Sequence, residues 1–259
     1  MNQIGQVGPG RRPATYGRSK SVTFDGVDEY ATADGVATSG ILDWQDSAHT
    51  VCVWIKTTQA ARTYVWSAGE SATINFWSAV SIETDKVTFW GIGGTGLIVT
   101  PGSPVAGAGF FQVRASDPAG INPADGSWHH IALTVSGTAS TEAGVNGYLD
   151  GAAAGYGATG SAVATPDQFT IAALRRTTSQ GYVDGPVADL QIYDRALDSS
   201  EIAYLATAPM LDAVRLRPTH WFWMGDRDTF PTLRDHGTGA SDATIVNGLA
   251  GDIADGSPS

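Results

Sequence analysis

The chain has 259 residues, 42% of them hydrophobic, and a formal net charge of −11 at pH 7. That length and apolar share sustain one sizeable folded domain and exclude a disordered chain, while the acidic balance excludes a folded body that grips phosphate backbones. The lone cysteine, Cys52, excludes an internal disulfide. No apolar run is long enough for a secretory signal or a membrane-spanning helix, so the expectation is a cytoplasmically made product with no membrane partner.

In chain order, residues 1 to 20 form a basic arm with Arg11, Arg12, Arg18 and Lys20 and no acid. Such an arm on an acidic body is expected to be flexible and to dock on an acidic partner. From residue 21 to 207, 12 prolines and 32 glycines along the chain punctuate short apolar runs, which predicts strands joined by turns. Candidate strands are Ser21–Phe24, Glu29–Thr32, Thr50–Lys56, Arg62–Ser67, Thr73–Phe76, Lys86–Gly91, Leu97–Thr100, Phe110–Arg114, Trp128–Val135, Gly147–Asp150, Gln168–Ala172 and Val187–Tyr193. In Val51-Cys-Val-Trp-Ile-Lys56 both faces are apolar, so this strand is expected in the middle of the sandwich with something packed on each side. After Tyr193, Asp198 and Glu201 stand at capping-box spacing, which predicts a short helix near 198–206.

Residues 208 to 259 are the third part. Arg217-Pro-Thr-His-Trp-Phe-Trp-Met-Gly-Asp226 reads as an apolar strand, and Trp221 and Trp223 at an exposed edge would aggregate. The segment is therefore expected either to fold back and complete its own sandwich or to swap onto a neighbouring subunit, making a homo-oligomer.

The motifs that carry chemistry are sparse. Gly91-Ile-Gly-Gly-Thr-Gly96 has dinucleotide-fingerprint spacing, but Leu97-Ile-Val-Thr-Pro101 follows where a helix is required, so a glycine-rich hairpin is the reading. Ile82-Glu-Thr-Asp-Lys86 has two acids two apart and lies in a polar turn, not a catalytic strand face. His129 and His130 are adjacent on a strand and point to opposite faces, one inward near Trp128 and one to water. No nucleophile elbow, zinc helix or P-loop occurs, so the chain is read as not an enzyme. Trp44, Trp66, Trp77 and Trp90 are available as an aromatic platform for a sugar, although such residues are more often core.

Five segments taken together resemble the laminin G-like, concanavalin A-like family of jelly-roll sandwiches. They are Ser21-Val-Thr-Phe-Asp-Gly-Val-Asp-Glu-Tyr30, Val51-Cys-Val-Trp-Ile-Lys56, Trp128-His-His130, Gly147-Tyr-Leu-Asp-Gly151 and Asp189-Leu-Gln-Ile-Tyr-Asp-Arg-Ala-Leu197, in the family's order. The resemblance implies an all-β sandwich of two antiparallel sheets over 21–207 with irregular extensions at both ends. It also implies a structural calcium near the Phe-Asp-Gly and closing strands, where the matching residues are Asp25 and Asp189. Trp223-Met-Gly-Asp-Arg-Asp-Thr-Phe-Pro-Thr232 resembles tails of laminin G-like proteins of tailed bacteriophage particles. The expectation drawn from that likeness is a non-catalytic virion-surface protein, of the capsid-decoration or head-fibre type. It would attach to capsid or other virion proteins through Arg11, Arg12, Arg18, Lys20, Trp221 and Trp223. The alternative is a calcium-assisted carbohydrate-binding module that adheres to cell-surface glycans; no nucleic acid is expected on the folded domain.

Overall fold

The computed structural model describes residues 19–43, 47–72, 77–83, 86–92, 110–116, 122–136, 145–157, 165–207, 213–256 and 258. Arg11, Arg12, Arg18, Trp44, the Thr73–Phe76 and Leu97–Thr100 strands and the glycines at 93–96 lie outside the described residues. In chain order come β1 (Lys20–Asp25), β2 (Tyr30–Thr32), α1 (Asp34–Ala37), β3 (Ala48–Lys56), β4 (Thr63–Gly69), β5 (Trp77–Glu83), β6 (Lys86–Ile92), β7 (Phe110–Ser116), β8 (Trp128–Ser136), β9 (Val145–Leu149) and β10 (Ala152–Gly157). There follow β11 (Gln168–Ile171), β12 (Leu174–Arg175), β13 (Ser179–Gln180), β14 (Asp184–Tyr193), α2 (Ser199–Thr207), α3 (Ala213–Leu216), β15 (His220–Phe222), β16 (Thr232–Leu233), β17 (Ala243–Val246) and β18 (Ile253–Asp255).

Two antiparallel sheets make the sandwich. The first runs β10-β9-β8-β3-β14-β1-β18, with β15 also on β14; the second runs β16-β17-β2-β11-β4-β5-β6-β7. A third element, the small β12–β13 hairpin, stands apart from both. Alternation explains the layering. Val51, Val53 and Ile55 of β3 enter the main core with Phe24, Trp66, Phe89 and Phe169, and Trp66 stacks on Phe169 at 6.1 Å between centroids. Each fully buried aliphatic chain contributes roughly 1.5–3 kcal/mol. Cys52, on the opposite face of β3, joins a second cluster with Tyr193, Ile202, Leu205 and Trp221, so α2 and β15 roof the outer side of the first sheet. The strand with two apolar faces thus has something packed on each side, as expected.

The helix after β14 carries the capping box read from its spacing. Asp198 Oδ1 accepts from the N–H of Ser200 and of Glu201, both at 2.9 Å, while Glu201 Oε2 accepts from the N–H of Asp198 at 3.0 Å. Residues 213–256 pair within their own chain: β15 on β14, β17 on β2 and β18 on β1. Gly147 in β9 faces the Phe89 ring of the opposing sheet, and a Cβ there would overlap that ring.

One expectation needs correcting. His129 and His130 do point to different surroundings, but neither faces water: they are 5% and 1% exposed. His130 packs beside Trp54, 5.2 Å between centroids. His129 is covered because its two nitrogens reach Asp150 at 2.8 Å and Asp125 at 3.1 Å, which tie the loop before β8 to the β9–β10 turn.

Candidate functional site: a polar cleft beside the second sheet

The β12–β13 hairpin folds over the outer face of the second sheet because two polar links and one apolar contact hold it there. Ser67 of β4 donates Oγ–H to Ala173 O at 2.9 Å and accepts the Arg175 N–H at 3.2 Å. Leu174 packs with Tyr64, Trp77 and Ala79, and the Arg176 guanidinium lies 5.7 Å over the Trp77 ring. Between this hairpin, β2 and the loop after β4 opens a cleft of ≈ 470 Å³, lined by Tyr30, Asp34, Ser71, Asp167, Arg175 and Arg176, with the hairpin turn 177–179 on one rim.

Each polar wall is fixed by its neighbours. Asp34 starts α1, accepts the Phe169 N–H through Oδ1 at 3.2 Å and forms an ion pair with Arg175. Arg175 Nε is buried and has no hydrogen-bond partner among the described residues. Asp167 accepts from Ser71 twice, N–H at 2.7 Å and Oγ–H at 2.6 Å. Burial opposes the charge on Asp167, but the Ser71 bonds and the Arg175 field outweigh it and hold its carboxyl below the usual range. Tyr30 is braced by Tyr182, 6.2 Å between centroids. Guanidinium donors, carboxylate acceptors, hydroxyls and an aromatic ring around one opening are what a polyhydroxylated ligand needs.

The residues singled out from the sequence lie elsewhere. Asp25 makes a turn, its Oδ1 accepting from the N–H of Val27 at 2.8 Å and of Asp28 at 3.3 Å. Asp189 sits in a β-bulge at φ 49, where β14 loses register with β3 between Ala188 and Gln191. It is 2% exposed, and its two oxygens accept from Trp221 Nε1–H at 2.6 Å and Gln191 Nε2–H at 2.7 Å. Tyr193 O–H extends this buried chain by donating to Gln191 Oε1.

Asp25 and Asp189 are not brought together. Asp25 pairs with Asp184, five positions before Asp189, a separation of about 16 Å along a strand. Both Asp189 oxygens already face N–H donors, which repel a cation, so the pair expected to share calcium does not fit that ion. Among the described residues no group of three or more His, Cys, Asp or Glu could hold a metal. Trp221 is 4% exposed and satisfied within its own chain. Trp223 stacks on His236 at 3.7 Å and lies 5.3 Å from the Arg227 guanidinium. Lys20 belongs to β1, its N–H on Asp226 Oδ2 at 3.2 Å. Trp221 is thus placed in a packing role, and Trp223, partly buried, packs against the same cluster.

Sequence reasoning missed Asp34, Ser71, Asp167, Arg175 and Arg176. The one local signal is Arg175-Arg-Thr-Thr-Ser179, a basic and hydroxyl-rich turn between two apolar runs.

Two antiparallel sheets packed face to face in this strand order define a jelly-roll sandwich. The chain belongs to the concanavalin A-like lectin/glucanases superfamily, whose family model matches residues 28–203. No curated protein matches the chain. Among solved structures it is similar to a candidate carbohydrate binding protein from Bacteroides ovatus, with a TM-score of 0.57 at 15% identity over 89% of this chain and 58% of that one. It is also similar to the CBM40 module of the IT-sialidase of Ruminococcus gnavus bound to α2,3-sialyllactose, with a TM-score of 0.54 at 13% identity over 73% of this chain and 99% of that one. The leech intramolecular trans-sialidase matches at a TM-score of 0.52 and 13% identity, over 74% of this chain and 28% of that one. At these identities the likeness is one of fold. Among the described residues no helix is long and apolar enough to cross a membrane.

Proposed function

We propose that the protein is a carbohydrate-binding module that holds a glycan in the cleft between β2, the β12–β13 hairpin and the loop after β4. The observation that carries this reading is the juxtaposition of Asp34, Asp167, Arg175, Arg176 and Tyr30 around one ≈ 470 Å³ opening. The solved sandwiches described as carbohydrate-binding support it.

In this reading the cleft binds and does no chemistry. A sugar ring packs on the Tyr30 face, its hydroxyls donate to Asp34 and Asp167, and its oxygens accept from the Arg175 and Arg176 guanidinium groups. The Asp167 carboxylate acts as an acceptor, because its two bonds from Ser71 favour its charged form, and Asp34 is held by Phe169 N–H and Arg175. Calcium is not needed at this site. Attachment to a virion, the other expectation, rests on Arg11, Arg12 and Arg18, which lie outside the described residues, and on Trp221, which is bonded within its own chain.

The test is a glycan array probed with the purified chain, with and without a chelator, beside an Arg175→Ala variant of unchanged thermal midpoint. Saturable, chelator-insensitive binding that the variant loses is the expected result. Binding that survives Arg175→Ala would place the glycan elsewhere, and an empty array would end the carbohydrate reading.

A further inference from the structure

We infer that the cleft selects neutral glycans over acidic ones, an inference that rests on the carbohydrate reading of the same site. The charges lining it balance: Asp34 and Asp167 face Arg175 and Arg176. Arg175 lines the cleft already paired with Asp34, so the guanidinium it presents is offset by a carboxylate. The Asp167 carboxylate is held in its ionised form by Ser71 and the Arg175 field. A ligand carboxylate or sulfate seated on Arg175 would therefore have to share it with Asp34 and lie near a second fixed anion.

The surroundings add to this. Glu70, next in sequence to Ser71, accepts the Thr165 N–H at 3.2 Å and places another acid at the Asp167 end of the cleft. The whole chain carries −11. An acidic glycan thus meets a repulsive long-range field and finds no unbalanced cation at close range. A neutral ring meets neither penalty. Its hydroxyl groups donate and accept at once, which suits a wall where carboxylate acceptors alternate with guanidinium donors. Arg176, also at the wall, lies over the Trp77 ring.

The separating experiment is the same array carrying neutral oligosaccharides together with sialylated, uronate-containing and sulfated members, read at low and at high salt. Neutral members are expected to bind with little salt dependence, and each acidic counterpart to bind about tenfold more weakly at low salt. In Asp34→Asn, which removes one carboxylate and leaves the shape of the wall, the acidic members are expected to gain relative to the neutral ones. Preferential capture of acidic members, weakening as salt rises, would overturn the inference and leave the carbohydrate reading standing. An array on which nothing binds would remove both.

Discussion

The outer sides of the two sheets use the same kinds of side chain to opposite ends. On the first sheet Asp189 is 2% exposed, and both oxygens are met by N–H groups of Trp221 and Gln191. On the second, Asp34 is 49% exposed and shares Arg175, whose Nε has no partner among the described residues beside an open cleft. The first carboxylate is taken up by folding, whereas in the proposed reading the second faces the glycan. What separates them is which donors each oxygen already has, and neither carboxylate's place in a recognisable motif predicts that.

The largest effect bears on the packed side and is pH dependent. Burial lowers His49 and His130 to about 4 from an ordinary 6.5. Groups depressed in the fold bind protons more readily when unfolded, so stability present above pH 6.5 is lost as pH falls towards 4, up to about 3 kcal/mol for each. Glu29 and Asp228, whose carboxyls burial raises, work the other way and soften the loss. Urea midpoints taken from neutral to acid pH should fall steeply over that window. A flat profile would mean the two imidazoles are not buried as described.

Next comes Asp189→Ala, which strands the buried Trp221 indole and Gln191 amide donors and puts alanine at φ 49. The expected cost is about 3–5 kcal/mol by urea unfolding. Trp221→Phe keeps a ring but removes the indole donor to Asp189 Oδ1, at about 2 kcal/mol. Folded material of either variant should bind a glycan hit as the parent does, and loss of binding there would erase the division between the two sides.

Arg175→Ala sharpens the same division from the other direction. Its partner Asp34 is 49% exposed, so the pair should contribute less than about 1 kcal/mol to stability. Glycan affinity, in contrast, should drop about ten- to a hundredfold, the value of a charge-assisted hydrogen bond. Calorimetry on one preparation reads both quantities.

The smallest effect is at His129. Burial opposes its charge, but hydrogen bonds and attraction from Asp150 and Asp125 outweigh it, and the ring titrates above its ordinary 6.5. This contribution is fully present below 6.5 and fades as pH rises through the folded value. Asp125 is 41% exposed, so solvent screening keeps the contribution below about 1 kcal/mol. His129→Gln should flatten the wild-type slope on that side and change little else.

The fold was legible because its signals are local and periodic. Two apolar faces on 51–55 announced packing on both sides of β3, and Asp198 with Glu201 announced α2. The cleft was not legible, because its walls come from positions 30, 34, 71, 167 and 175. Only the crossing of β11 between β2 and β4 brings those together. Asp189 misled for a related reason. Its motif was conspicuous, but the bulge that turns it and the indole that answers it arise from a strand some thirty residues further on. The same distance hid the roles of Trp221 and Trp223, which the sequence could only flag as apolar and in need of cover.

The most direct measurement is a two-dimensional nitrogen–proton NMR titration with a neutral glycan from the array, following tryptophan indole and backbone amide signals together. The prediction is movement of the amides at 167–168 and 175–179 and of the Trp77 indole, next to Arg176, with the Trp221 indole unmoved in its bond to Asp189. Shifts concentrated at Trp221 and the residues around Asp189, with the cleft amides silent, would contradict the account.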